Sequence, residues 1–270
     1  MKPLISLIAA ALSLTLAACA SDQDTTYADL PAAARAVMEN AESGNAEAQY
    51  TAATMYAQGD GVNQDLTEAA RWMRAAADQG YVKAEYDLGT MYMNGDGVER
   101  DANQALQWWK QAAEHGSRDA QYQIGATLLV DRGVEPDYAT AADYFRQAAE
   151  QGHEQAALQL ALLYQKGRGV AADPATAVSW YERAANQGNA EAAFNLGAMY
   201  FEADGVPQDY VEAYRWLSIA ANQADGEELQ AKYGAARLSA AEKLNPFQLT
   251  EAERRVQQWR DAFAQSKPPE

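Results

Sequence analysis

Small and bulky apolar positions recur along most of this chain with a period of 36 residues. Gly44, Gly80, Gly116, Gly152 and Gly188 are spaced at that interval, and the Gly-Val pairs beginning at Gly61, Gly97, Gly133, Gly169 and Gly205 keep the same period. Five units therefore fill residues 44–223 without insertion, as 44–79, 80–115, 116–151, 152–187 and 188–223. A period of this length marks a repeat architecture in which each unit buries its apolar face against its neighbours.

Inside each unit the pattern predicts helix, loop, helix. Helix A carries bulky residues such as Tyr50, Met55 and Tyr56 in unit one and Tyr86, Leu88, Met91 and Tyr92 in unit two, at steps of three and four that share one helical face. The Gly59-Asp60-Gly61-Val62 loop and its repeats end that helix. Helix B begins at Asp65, Asp101, Asp137, Asp173 and Asp209, each placed to cap it. Asp65 with Glu68, Asp101 with Gln104 and Asp209 with Glu212 have the offset of a capping box, and Pro174 sits at a first helical position. These five aspartates are expected to be structural.

Seven residues after each cap stands Trp72, Trp108, Tyr144, Trp180 or Trp216, followed by Met73, Trp109, Phe145, Tyr181 or Leu217. Alanines at 69, 105, 141, 177 and 213 and paired alanines at 76–77, 112–113, 148–149, 184–185 and 220–221 complement them. This predicts core packing of large into small side chains. Unit three departs with Leu128-Leu129 and a Val130-Asp131-Arg132-Gly133-Val134 loop, and unit four with Ala157, Leu158 and Ala161; packing is expected to change more than register.

A solenoid needs covered ends. Asp29 lies 36 residues before Asp65, so residues 29–43 read as an N-terminal capping helix that turns Leu30, Val37 and Met38 toward unit one. Residues 224–264 read as C-terminal capping helices, about 226–243 and 246–264, followed by a tail at 265–270. Asn245, Pro246 and Gln248 cap the second, and Leu249, Ala252, Val256, Trp259 and Phe263 share one face. Its polar face mixes Glu251, Glu253 and Asp261 with Arg254, Arg255 and Arg260, without the basic excess of a membrane-surface helix.

The period, the Ala84-Glu85-Tyr86-Asp87-Leu88-Gly89-Thr90-Met91-Tyr92 motif, the Gly-Asp-Gly-Val loop and the Asp-x-x-x-Ala-x-x-Trp start of helix B together resemble Sel-one-like repeats, a branch of the tetratricopeptide superfamily. The resemblance implies an all-α, right-handed α-solenoid that serves as an interaction scaffold. In exported bacterial members it implies roles in envelope assembly, host-cell interaction or polysaccharide export.

Ahead of the repeats, Met1-Lys2 and the apolar stretch Leu4 to Ala18 form an export signal, shorter than the roughly 20 residues that span a bilayer. Leu16-Ala17-Ala18-Cys19 resembles the bacterial lipobox, which implies removal of residues 1–18 and lipidation of Cys19, the one cysteine of the chain. Ala20 and Ser21 follow in place of the Asp of an inner-membrane retention signal, so the periplasmic leaflet of the outer membrane is the expected location. Residues 19–28 read as a flexible tether.

Composition narrows the function. With 60 alanines, 8 prolines and 18 glycines in 270 residues, the chain favours closely packed helices. One Cys and two His cannot plausibly build a disulfide scaffold or a structural zinc site. The 21 Lys and Arg against 38 Asp and Glu give −17, or −18 once Lys2 is removed, which disfavours nucleic acid and favours a partner with a basic patch.

No nucleotide-binding, zinc-protease or serine-hydrolase motif is present, so neither catalysis nor a cofactor is expected. His115 and His153 read as turn histidines on a solvated surface, and the cysteines of β-lactam-associated relatives are missing. What remains is binding. If helix A lines an inner face, steps of four, three and four place Glu47, Thr51, Thr54 and Gln58 in a row with Lys83, Asp87, Thr90 and Asn94. The row continues with Asp119, Gln123, Ala126 and Val130; with Gln155, Gln159, Leu162 and Lys166; and with Glu191, Asn195, Ala198 and Glu202. Such a variable polar row suits an extended peptide of another protein or, as the alternative, a cell-wall glycan or exopolysaccharide. An envelope hydrolase would need a convergent acid, base and nucleophile that the sequence does not offer.

Overall fold

A computed structural model describes residue 27, residues 30–131 and residues 133–266. The stretch read as an export signal, Cys19, most of the stretch read as a tether, Asp29, Arg132 and the last four residues lie outside the described residues. Among the described residues there are thirteen helices and no strand. The fold is an all-α solenoid in which α1 (Ala32–Glu42) precedes five A–B pairs and α12 (Glu227–Ala241) and α13 (Pro246–Ser266) follow them. The A helices are α2 (Ala46–Gln58), α4 (Val82–Asn94), α6 (Arg118–Leu128), α8 (Glu154–Lys166) and α10 (Ala190–Glu202). The B helices are α3 (Leu66–Ala77), α5 (Ala102–Glu114), α7 (Tyr138–Glu150), α9 (Pro174–Asn186) and α11 (Tyr210–Gln223).

Each capping aspartate closes its unit twice. The backbone N–H of Asp65, Asp101, Asp137, Asp173 and Asp209 donates to the carbonyl of the A-helix residue nine positions earlier, at 2.9–3.1 Å. The side chain of the same residue accepts from the first free N–H groups of helix B, as Asp65 does from Thr67 and Glu68. This corrects the expected capping boxes. The aspartate N–H is already spent on the loop, so Glu68 turns to Arg71 and Glu212 to Arg215 instead of reaching back. The reciprocal box forms where no such loop precedes the helix: Asn245 N–H donates to Gln248 Oε1 (3.1 Å) and Gln248 N–H to Asn245 Oδ1 (2.9 Å).

The bulky residue after the aromatic stripe is what the A helix makes room for. A Cβ placed on Gly89 would meet the Trp109 ring at 2.5 Å, one on Gly125 the Phe145 ring at 2.8 Å, and one on Gly197 the Leu217 side chain at 2.7 Å. These glycines give up about 1 kcal/mol of helix propensity each. In return the A and B axes approach closely enough to bury Trp109, Phe145 and Leu217 almost completely. Neighbouring units meet through the loop, where a Cβ on Gly97 would lie 1.9 Å from the Leu66 carbonyl oxygen at the start of α3. Unit three, whose loop differs, ends its A helix early at Leu128 yet keeps the Asp137 to Leu128 bond, so register is retained.

The ends are covered by unlike devices. Met38 and Ala41 of α1 are fully buried, Val37 and Leu30 pack beside them, and the Tyr27 hydroxyl donates to Glu42 (2.8 Å). The end of the stretch read as a flexible tether is therefore docked against α1. Helix α12 packs on α11, taking the place of a sixth A helix. Helix α13 also packs on α11, reaching α9 through the Trp259 indole N–H, which donates to Asn186 Oδ1 (2.9 Å), and holding Glu212 through Arg255.

The same substitution at two helical glycines should have opposite signs. Gly89→Ala drives a methyl into Trp109 and should cost about 2 kcal/mol or more. Gly234→Ala in α12, where a Cβ meets nothing within 4 Å, should stabilise by up to about 1 kcal/mol. Urea denaturation followed by circular dichroism checks both; equal shifts would mean that close A–B packing does not hold the unit.

Candidate functional site

The predicted row lies along the A helices with a regular pattern of exposure. Glu47, Gln58, Lys83, Asn94, Asp119, Gln155, Lys166, Glu191 and Glu202 are exposed, as is Val130. The middle pair of each helix is half-buried: Thr51 and Thr54, Asp87 and Thr90, Gln123 and Ala126, Gln159 and Leu162, Asn195 and Ala198. Several of these polar groups are already used inside the fold. The hydroxyls of Thr51, Thr54 and Thr90 donate to carbonyls of their own helices, at 2.7–3.1 Å. Asp87 accepts from the Tyr50 hydroxyl (2.9 Å), and Gln123 donates to the Tyr86 hydroxyl at 3.5 Å, one repeat further on. Burial, followed by the Asp87 carboxylate, pushes the Tyr50 hydroxyl up to about 12. Asp87 is itself held above the usual carboxylate range by burial, which the Tyr50 bond and Lys83 partly offset.

Six of the candidate residues gather at two clefts. Lys83, Asp87 and Asp119 border a cleft of about 370 Å³ between units two and three, with Tyr50, Tyr86, His115 and Arg118. Gln155, Glu191 and Asn195 border another of about 480 Å³ between unit five and α12, with Phe194, Lys232 and Tyr233. The remaining candidates enter neither. Among the described residues no group of three or more His, Cys, Asp and Glu side chains is placed to hold a metal ion, and no helix is long and apolar enough to cross a membrane.

The histidines are not simple turn residues. His153 caps α8 with Nδ1, which accepts from the Ala156 N–H (3.2 Å), and its ring stacks on Tyr122 at 4.4 Å, leaving the side chain 15% exposed. His115 Nδ1 donates to Glu85 Oε2 (2.9 Å), and the Glu85 side chain is 1% exposed. The corresponding bonds in units one and three join amides: Gln79 Nε2 donates to Gln49 Oε1 (2.7 Å) and Gln151 Nε2 to Gln121 Oε1 (2.8 Å). Unit two thus makes with an acid and an imidazole a bond that its neighbours make with neutral side chains. Aligning the units by their period exposes the exchange, since Glu85 and His115 change together where the flanking units keep Gln.

These two histidines respond to pH in opposite senses. The bond to Glu85 and the charge of that carboxylate raise His115 above its ordinary 6.5, so its stabilising contribution is complete below that value and is lost as pH rises through the folded value. Burial lowers His153 below 6.5, so its contribution is present above that value and is lost as pH falls through the folded one. In urea titrations between about pH 5.5 and about pH 8.5, the stability advantage of the native chain over Glu85→Gln/His115→Gln should shrink as pH rises. His153→Asn, which substitutes the cap residue of α2 and α10, should remove the loss at low pH. Parallel profiles for all three proteins would refute the assignment.

The Sel1 repeat family matches residues 46–81, 82–117, 118–153, 154–189 and 190–225, five consecutive units displaced by two residues from the frame read off the glycines. None of the curated proteins matches the chain. Among solved structures, it is similar to c5321, a protective antigen of uropathogenic Escherichia coli displaying an SLR fold, at 30% identity and a TM-score of 0.69 over 87% of this chain and 51% of that one. It spans about half the length of that antigen. A Sel1 repeat protein from Oxalobacter formigenes is 31% identical, with a TM-score of 0.67 over 71% of this chain and 79% of that one. Repeats of this kind build generally non-catalytic scaffolds that bind other proteins. In sequence, in helix order and in the units matched, the chain belongs to the Sel1 repeat family.

Proposed function

We propose that this protein is a lipid-anchored periplasmic scaffold that binds another protein along the row of A helices. The observation that carries the binding reading is chemical variety on a constant frame. The capping aspartates recur in every unit, whereas the exposed A-helix positions pass from Glu47 to Lys83, Asp119, Gln155 and Glu191. A surface of that kind distributes many modest contacts along an extended segment, and its specificity comes from their order. The excess of acidic residues supports a partner with a basic patch. The anchor rests on the lipobox-like Leu16-Ala17-Ala18-Cys19, and the location on the residues that follow it.

Crosslinking from envelope membranes, with Cys19→Ala as the unanchored control, should recover one dominant protein partner from the native chain. Capture should fall about threefold for each of Glu47→Gln, Asp119→Asn and Glu191→Gln, as expected for exposed interface charges facing a basic partner. Affinity for the purified partner should weaken as salt rises. Glycan fragments recovered without a protein, or capture indifferent to all three substitutions, would overturn the reading; unchanged membrane association of Cys19→Ala would overturn the anchor.

A further inference from the structure

The interface between unit five and α12 is built differently from those that join units one to two and two to three. Tyr50 and Tyr86 each face a polar group on the next A helix, Asp87 or Gln123. The corresponding residue of unit five is Phe194, which has no hydroxyl, and the position 37 residues on is Ala231. Phe194 stacks instead on the buried Tyr233 of α12, with ring centroids 4.6 Å apart and planes at 24°. The polar bonds of the first units do not extend to this end, since Tyr122 stacks on His153 and unit four has Leu158, and here an aromatic shelf opens onto the cleft of about 480 Å³.

That shelf already holds a cation. Lys232 Nζ lies 4.9 Å from the Phe194 centroid and 5.7 Å from that of Tyr233, and it makes no ion pair with any described residue. An ammonium held in this way at an exposed site is bound weakly. Three carboxylates, Glu154, Glu191 and Asp225, border the same cleft against this one ammonium. Glu191 stands one turn before Phe194 on α10, so the two side chains are neighbours on one face. Burial alone holds Glu154 above the usual carboxylate range, with no cation to offset it.

An arginine would use this site more fully than Lys232 does. Its planar guanidinium stacks on a ring face while its fork of N–H donors reaches carboxylates, two interactions made at once by a weakly hydrated cation. We propose that this cleft takes an arginine side chain from a basic segment of the partner protein, which displaces Lys232 from the face of Phe194 and donates to Glu154 and Glu191. This rests on the scaffold reading and makes the C-terminal end of the row the anchor point, with Lys232 as the internal occupant that an incoming residue must replace.

Fluorescence anisotropy of labelled octa-arginine and octa-lysine peptides against the full chain tests it directly. The arginine peptide should bind more tightly than the lysine peptide. Lys232→Met should strengthen arginine-peptide binding about fivefold by vacating the ring, and Glu191→Gln and Phe194→Leu should each weaken it about fivefold, with circular dichroism checking that each variant is folded. Lys243→Met is the charge control: it removes the same charge beyond the end of α12, 11 residues further along, and should change binding less than twofold. Equal gains from Lys232→Met and Lys243→Met would show that only net charge is sensed and would overturn the proposal. So would equal affinity for the two peptides. If the peptide results hold while crosslinking yields no protein partner, the scaffold reading fails and the arginine site stands; a partner captured with no peptide preference gives the reverse.

Discussion

Two helices come close where a bulky side chain on one meets a small or missing side chain on the other, and this steric condition recurs in every unit, with glycine at 89, 125 and 197 and alanine at 53 and 161. Gly89 under Trp109 and Gly125 under Phe145 set the distance between A and B helices inside a unit. That distance lets Asp101 and Asp137 close their loops onto the carbonyls of Tyr92 and Leu128. The closed loop brings Gly97 onto the start of α3 in the preceding unit, which fixes how units stack. The exposed A-helix row, the clefts and the caps are all positioned downstream of that first contact.

The polar residues placed on this frame divide into those that stabilise it and those that remain available. Tyr50 and Asp87 satisfy one another across units, and the threonines satisfy their own helices, so the half-buried middle of the row belongs largely to the scaffold. The exposed outer positions carry the charge differences between units. Framework bonds and exposed, variable charges thus sit side by side on one helix face, a turn apart.

The repeat period and the helix starts were legible in the sequence because they depend on local chemistry: a glycine that ends a helix, an aspartate that begins one, a large residue opposite a small one. The failed capping boxes show the limit of local reasoning. Glu68 has the right offset from Asp65, but the Asp65 N–H is committed to Tyr56, a bond set by tertiary closure. Likewise, nothing in a single unit tells that Asp87 faces Tyr50 or that Glu85 is buried against His115. The aromatic shelf at Phe194 was hidden for the same reason, since its other half comes from α12, where the period has lapsed.

The placement of the polar bonds bears on how such a chain changes length over time. Glu85 and His115 fall within the single unit 82–117, so a duplication of that unit would copy the acid and the imidazole together. Tyr86 and Gln123 lie in different units, yet an inserted copy of 82–117 would offer Tyr86 another Asp87, an acceptor of the kind Tyr50 already uses. The terminal helices would be little affected, because α1 packs chiefly on α2, and α13 packs on α11 and bonds to α9, none of which belongs to that unit. Whole-unit recombination is therefore a nearly neutral move for this architecture, and the number of repeats is free to drift until a partner of fixed length selects it.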